Sequence, residues 1–460
     1  MSVELDVAVW AEQQFGECDL GDVRRTRRAV HTAALFAADS SGSTPVQTEI
    51  WSDCKAAYRL FDNEDVTFAG LAGPHWEQTR ARTSGHYLLI GDTTTISFDG
   101  DRQISGMGIV TSGSAQGFLL HSALMVEADD GDIIGLAGQR IRYRQRVPKK
   151  EKCRARLLRG RESEIWGEVI MDVGPAPNDE VRFTHVCDRG ADNFEVYCHC
   201  LLQGVDWVVR AAQLTRKVYV EGELLQLADH LKTLPVAGTY ELKVKANEDQ
   251  VGRTATVEVR FGMIGLPAPH VSGRFTRECG ISFLTMNVIE VKEIDPPRGQ
   301  KALQWVLYTS HAVTSFEDAW TIIGYYERRP LVEEFHKALK TGCRIEDRLY
   351  ETAARWENLT ALLSVIAVRL LQLKTIATKE PDRPAAEIVP PIWLQMLAAE
   401  RGPKRKPIVT ARDFLRALAS LGGHLGRKCD GEPGWLTIWR GFGKLHLLLR
   451  GAAAMKRKCG

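Results

Sequence analysis

Apolar and polar positions in the first 84 residues recur with helical spacing. Residues 10–15 start one segment, and Asp22 is placed to cap the next, which runs to about Ala38 before Ser40-Ser41-Gly42. Residues 48–63 predict a third helix with Ile50, Trp51, Cys54, Tyr58 and Phe61 on one face. Strand patterns then take over: a short apolar run at 86–90 ending at Gly91-Asp92, runs at 118–126 and 133–143, and another at 182–187 ending at Asp188. A helix at about 191–202 and a strand at 206–211 follow. Residues 213–295 hold several β-like runs, at 217–220, 238–244, 254–261 and 281–291, separated by charged or Gly/Pro turns. One more strand covers 303–309, and helices dominate from about Ser315. Residues 379–391 contain four prolines and read as a linker. The order β-β-β-β-α-β predicts an α/β sheet carrying a β insertion, with Asp92 and Asp188 at strand ends, where ligands of such sheets bind.

The 460 residues support roughly two to four domains and a sizeable core. The longest apolar run, near 359–368, is stopped by Arg369 and is shorter than the roughly 18 residues a membrane span needs, so no membrane partner is expected. The start of the chain has no basic stretch and no apolar secretory core. The ten cysteines are scattered, none in a CxxC pair, and Cys198-His199-Cys200 is too tight for a usual zinc knuckle; reduced thiols in a cytoplasmic protein are expected. The formal net charge of +2 hides a gradient, because residues 401–460 hold 14 Lys/Arg against 3 Asp/Glu. That asymmetry points to an anionic partner.

Asp92 precedes three threonines, and taken alone it reads as a turn or helix-capping residue. Asp188 precedes Arg189-Gly190-Ala191-Asp192, with Asp192 the expected cap of the following helix. Tyr326, Arg329, Glu333 and Lys340 lie at offsets that put all four on one stripe of a single helix, either a solvated ion-paired face or the lining of a cleft. Val332, Phe335 and Leu339 form the opposite, buried face. Three carboxylates brought together suit Mg²⁺, and Arg329 and Lys340 would then hold phosphate.

These residues carry a resemblance. Gly91-Asp92-Thr93-Thr94, the run Val186-Cys187-Asp188-Arg189-Gly190-Ala191-Asp192 and the Tyr-x2-Arg-x3-Glu-x6-Lys spacing from Tyr326 to Lys340 resemble the motifs of bacterial DD(E) insertion-sequence transposases of the YREK branch (the IS-four family, Tn-five type). Leu20-Gly21-Asp22-x-Arg24-Arg25-Thr26 and Ala57-Tyr58-Arg59 resemble that family's DNA-binding domain, residues 296–305 its segment before the last core strand, and Gly422-Gly423 with the Trp-rich tail its dimerisation region. The resemblance implies an RNase H-like catalytic core over 76–375 with a β insertion at about 213–295. It also implies a helical DNA-binding domain over 1–75, and a linker and helical dimerisation domain over 376–460. It implies a metal triad of Asp92, Asp188 and Glu333 holding two Mg²⁺ ions, with Mn²⁺ able to substitute. The implied reaction is cut-and-paste transposition, with nicking, a hairpin intermediate and strand transfer. The implied partners are terminal inverted repeats, target DNA and a second copy of the chain, at the nucleoid of a bacterial cytoplasm.

Two positions depart from the family pattern. Pro330 inside the signature either kinks the helix or begins a new helical segment. Gly190 stands where an acidic residue is usual. They motivate an alternative reading, a catalytically impaired or domesticated protein, or an inhibitor, that binds transposon ends. A metal-dependent nuclease that cuts without joining is a third.

The expected DNA contacts are Tyr326, Arg329, Lys340, Arg210 and Trp305 near the carboxylates, and Arg24, Arg25, Arg28 and Arg59 in the N-terminal helices. Arg24, Arg25, Arg27 and Arg28 crowd a helix N-terminus, which is unfavourable unless an anion is near, and DNA phosphate is the anion expected. Residues 140–161, with eleven Lys/Arg and one acid, are expected to form a basic arm. Trp435, Ile438, Phe442, Leu445 and Leu449 make a heptad-like stripe, expected to meet a partner helix rather than the chain's own core.

Overall fold

A computed structural model describes residues 6–98, 103–110, 115–144, 161–244, 252–269, 274–427 and 430–458. The chain begins with five helices: α1 (Val7–Phe15), α2 (Val23–Ala38), α3 (Thr44–Thr48), α4 (Trp51–Phe61) and α5 (Phe68–Arg80). Asp6 and Asp22 cap α1 and α2 by accepting from amides of the first turn, as Asp22 was expected to. The helix expected over 48–63 is α4, which starts only at Trp51, and a separate short helix, α3, ends at Thr48. Glu49 takes a left-handed conformation (φ 56°) and Ile50 is extended, so the chain turns before α4 starts. Ile50 and Trp51 consequently leave the predicted buried face, and Trp51 is 76% exposed, while Cys54 and Phe61 are buried as expected.

The central sheet holds β1 (Gly85–Phe98), β2 (Gly108–Ile109), β3 (Gln116–Glu127), β4 (Ile133–Arg142), β5 (Val181–Cys187) and β6 (Asp206–Arg210). Helix α6 (Glu164–Val173) precedes β5, and α7 (Phe194–Gln203) connects β5 to β6. Strands β1, β3 and β4 are antiparallel neighbours, whereas β5 lies parallel to β1 and β6 parallel to β5. The following segment comprises β7 (Lys217–Val220), β8 (Glu223–Gln226), α8 (Leu227–Thr233), β9 (Gly238–Val244), β10 (Arg253–Pro267), α9 (Arg274–Cys279) and β11 (Phe283–Glu293). It joins the same sheet through β12 (Gln304–Thr309), which pairs with both β6 and β11. The β-rich insert is thus a lateral extension of the central sheet.

Helices α10 (Phe316–Glu327) and α11 (Pro330–Lys337), a π turn (Ala338–Gly342) and α12 (Ala353–Lys379) follow, then α13 (Pro391–Arg401), α14 (Ala411–Leu421) and α15 (Trp435–Lys458). Helix α12 is 27 residues long, longer than the apolar run suggested, and apolar enough to cross a membrane; 83% of that window is buried inside the protein, which makes it a core helix. It packs on α5, β4, α4 and α14, and Asn358 donates to the carbonyls of Phe61 and Val66, tying the N-terminal helices to the core. The helix runs through the expected 375/376 boundary without a break. The proline-rich stretch after it is packed rather than loose: Ala385, Ile388 and Val389 are buried, and Pro384 bridges to Thr410.

The C-terminal stripe also departs from expectation. Ile438, Phe442 and Leu445 are buried in the chain's own core, with Phe442 against Trp393 and Phe414. Burying three such side chains contributes roughly 1.5–3 kcal/mol each, which outweighs waiting for a partner. Helices α14 and α15 approach backbone to backbone: a Cβ on Gly441 would fall 2.0 Å from the Leu418 carbonyl, and one on Gly422 1.8 Å from that of Thr437.

Candidate active site

The parallel pairing of β1 with β5 sets the first two carboxylates side by side. Ile90 pairs with Val186, and two residues further along each strand come Asp92 and Asp188. Side chains alternate along a strand, so both project on the same face as that pair. Asp188 lies at the strand end as predicted. Asp92 does not, because β1 continues through the three threonines to Phe98, held by β3 with Asp92 opposite Ser122. Asp188 caps a short 3-10 turn by accepting from the Gly190 amide (2.7 Å). The next helix is capped by Asn193, not Asp192; Asp192 is buried instead, paired with Arg216 and accepting from the Tyr197 hydroxyl.

Glu333 sits in the first turn of α11. The four signature residues do not share one helix. Pro330 begins α11, which is the second of the two outcomes open from its sequence, and the Tyr326 carbonyl that a residue-330 amide would have used accepts from Arg329 (2.9 Å). The result places the Arg329 guanidinium among all three carboxylates. Its Nη2 is 3.3 Å from Asp92 Oδ1 and 3.3 Å from Asp188 Oδ2, and its Nη1 bonds Glu333. Burial works against the charge on Arg329, but the three carboxylates overcome it and hold its pKa above the usual value. Burial likewise opposes ionisation of Asp92; His336, whose Nδ1 is 3.7 Å from Asp92 Oδ2, together with Arg329 and the Thr93 amide, brings it below the ordinary carboxylate value.

Lys340 is turned away from this cluster. Its Nζ donates to the Thr95 carbonyl and lies 3.3 Å from Glu346, because the π turn carries it past the stripe that a regular helix would have kept. Tyr326 ends α10, and its hydroxyl meets the Arg210 guanidinium. Arg210 and Trp305 line a separate cleft of about 240 Å³ with Arg189 and Lys301.

Several residues at the site had no assigned role in the sequence. Trp166 of α6 lies under both aspartate motifs: a Cβ on Gly91 would come within 3.2 Å of it, and one on Gly190 within 3.0 Å. His121 stacks edge-on against Trp166 and bonds the Thr93 hydroxyl (2.8 Å), and burial lowers its pKa to about 3, keeping it neutral. His336 was legible as the residue one turn beyond Glu333; Trp166 had no comparable signal, since only the packing of α6 brings it here.

The N-terminal arginines already have anions. Arg24 pairs with Asp22 (2.7 Å), Arg25 with Asp65 (2.7 Å) and Arg28 with Asp53 (2.8 Å), so phosphate is not needed to offset their clustering. Arg27, Lys55 and Arg59 are exposed and carry no ion pair among the described residues. In the expected basic arm, Arg140 and Arg142 pair with Glu168 of α6, and Arg144 with Glu162. Residues 145–160 of that arm lie outside the described residues.

The sheet and its convergent carboxylates define a mixed α/β protein flanked by a helical N-terminal region and a helical C-terminal region. Residues 8–66 match the family model described as transposase DNA-binding, and residues 365–459 match the one described as transposase Tn5 dimerisation domain. The two matches support a DNA-processing enzyme, a transposase of the Tn5 type, that binds DNA and forms a homodimer.

Proposed function

We propose that the protein is a cut-and-paste DNA transposase that cleaves transposon ends and joins them to target DNA, using Mg²⁺ held by Asp92, Asp188 and Glu333. The observation that carries this reading is the convergence of those three side chains on one guanidinium from two parallel strands and a separate helix. The strand order β4-β3-β1-β5-β6, antiparallel on one side of β1 and parallel on the other, supports an RNase H-like core.

The residues present suit a hard divalent cation. Each carboxylate offers oxygen donors, and the site already stabilises positive charge, in the form of Arg329. A bound Mg²⁺ pair supplies activation of a water or 3′-hydroxyl and stabilisation of the leaving oxygen. The chain's own residues do the rest. Arg329 neutralises the carboxylates while no metal is bound, and a metal that took its place there would free the guanidinium for a phosphate. His336 and Thr93 hold the Asp92 carboxylate. Arg210, anchored by Tyr326, and Trp305 offer a cation and an aromatic face beside the reacting strand, suited to an unstacked base of a hairpin.

Asp188→Ala separates this reading from its alternative. On DNA carrying the sequences that flank this coding region, with Mg²⁺, the wild type is expected to give nicked, hairpin and strand-transfer products and the variant none. Equal products from both would overturn the metal assignment; retained end binding without any cleavage by the wild type would favour the impaired reading. Both departures behind that impaired reading are locally accommodated, Pro330 as the start of α11 and Gly190 through its amide on Asp188. The homodimer, the inverted repeats as substrate and the bacterial nucleoid as location belong to the same proposal.

A further inference from the structure

Asp192, released from the capping role its position suggested, has a side chain that is 0% exposed. One of its oxygens accepts from the Ala212 amide (2.7 Å). The other accepts from the Tyr197 hydroxyl (2.9 Å) and from the Arg216 guanidinium. The second terminal nitrogen of Arg216 donates to the Asp192 main-chain carbonyl (3.2 Å), so the arginine grips side chain and backbone together. Its guanidinium carbon also lies 5.9 Å from the ring centroid of Tyr308 on β12.

These contacts join parts of the chain that have separate duties. Asp192 ends the short 3-10 turn that Asp188 begins. Ala212 and Arg216 belong to the crossing from β6 into the β-rich insert, and Ala211 of that crossing donates to the Val306 carbonyl of β12 (2.8 Å). Arg210, Ala211, Ala212 and Leu214 line the 240 Å³ cleft together with Trp305 and Lys301. A buried ion pair adds little net stability, because desolvation of the two charges offsets their attraction and apolar residues of the same volume often serve as well. Its distinctive contribution is direction: three donors converge on one carboxylate, and the wall of the cleft is fixed relative to the Asp188 turn.

We propose that Asp192 and Arg216 are positioning residues for hairpin formation, acting through the cleft wall that they tie to the Asp188 turn. The proposal rests on the transposase reading and deepens it. The first nick needs only water and the carboxylate cluster. In the second step the 3′-hydroxyl oxygen freed by the nick bonds a phosphorus of the opposite strand. The bond from that phosphorus to the 3′-oxygen of the flanking DNA breaks; the attacking hydroxyl releases its proton and the leaving oxygen takes one up. That step requires the opposite strand to bend and a base to leave its stack, and the cleft offers such a base a cation and an aromatic face. Loosening the pair therefore separates the two steps.

The test uses the full chain, Mg²⁺ and the DNA that flanks this coding region, with the variants Asp192→Asn and Arg216→Lys. Asparagine sets an amide NH₂ against one of the three donors at nearly constant volume. Lysine keeps the charge but loses the fork, and it carries the test even where Asp192→Asn fails to fold. Both variants are expected to nick at the wild-type rate and to lower the hairpin-to-nick ratio, Asp192→Asn by about tenfold or more and Arg216→Lys by less. Stabilisation by Mg²⁺ in thermal unfolding should be unchanged. A 2-aminopurine beside the cleavage position should brighten on binding the wild type and stay quenched with the variants, a signal that does not depend on cleavage. An unchanged product ratio in a folded variant would overturn the proposal. So would a joint fall in nicking and in Mg²⁺ stabilisation, which would make the pair a support of Asp188 instead of the cleft. Absence of every product with the wild type would bring down the transposase reading itself, an outcome distinct from wild-type hairpins that the variants form equally well.

Discussion

The guanidinium of Arg329 stands 3.3 Å from the Asp188 carboxylate, and that one contact ties the start of α11 to the end of β5 across the candidate site. The same group reaches Asp92 and Glu333, so a single cation holds together three anions that would otherwise repel.

Arg329→Ala is therefore expected to lower stability in chelator by about 2 kcal/mol, less than for a fully buried pair because Glu333 is 43% exposed. It should also enlarge the stabilisation that Mg²⁺ provides, since the carboxylates are left to the metal alone. Thermal unfolding with and without Mg²⁺ checks both. Cleavage should fall even as metal response rises; an unchanged Mg²⁺ response would show that the guanidinium does not share the carboxylates' binding position.

Gly190→Glu restores the acidic residue usual at this position of the motif, yet it is expected to reduce end cleavage. A Cβ there would come 3.0 Å from both Asp188 Oδ1 and the Trp166 ring, so any side chain pushes on the carboxylate proposed to hold metal or on its support. Combining it with Trp166→Leu should recover part of the loss, and cleavage rates for the single and double variants measure that coupling.

Stability should fall with pH through His75. Its Nδ1 meets Gln14 Oε1 (2.6 Å) and its Nε2 accepts the Leu136 amide (3.0 Å), a pattern only the neutral ring satisfies. Burial lowers its pKa from 6.5 to about 4. The unfolded chain therefore binds the proton first: the contribution is complete above pH 6.5 and is lost as pH falls towards 4, by roughly 3 kcal/mol. The stability difference between wild type and His75→Gln should narrow over that window; a difference flat in pH would refute the assignment.

Gly441→Val is expected to destabilise the C-terminal region by at least about 2 kcal/mol, because the added carbons meet the Leu418 carbonyl across the α14–α15 crossing. Limited proteolysis should then release α15 while leaving the sheet intact, and an unaltered digestion pattern would contradict the close crossing.

The sequence by itself determined most of the secondary-structure elements. Strand and helix periods marked most of the sheet and the Asp22 cap, because local spacing and residue type are enough for that, whereas Asp92, Asp188, Glu333 and Arg329 stood together only through the resemblance of their motifs to a transposase family. Tertiary structure decided what depends on neighbours distant in the chain. The apolar stripe of α15 could have met a partner or its own core with the same periodicity, and only the glycine crossing at Gly441 and Gly422 selects the core. The arginines of α2 found their anions in Asp53 and Asp65, which no local pattern links to them. Lys340 left its companions because a π turn changes the angle per residue, a deviation that the spacing of four side chains does not encode. Trp166 reached the aspartates only through the packing of α6 on the sheet.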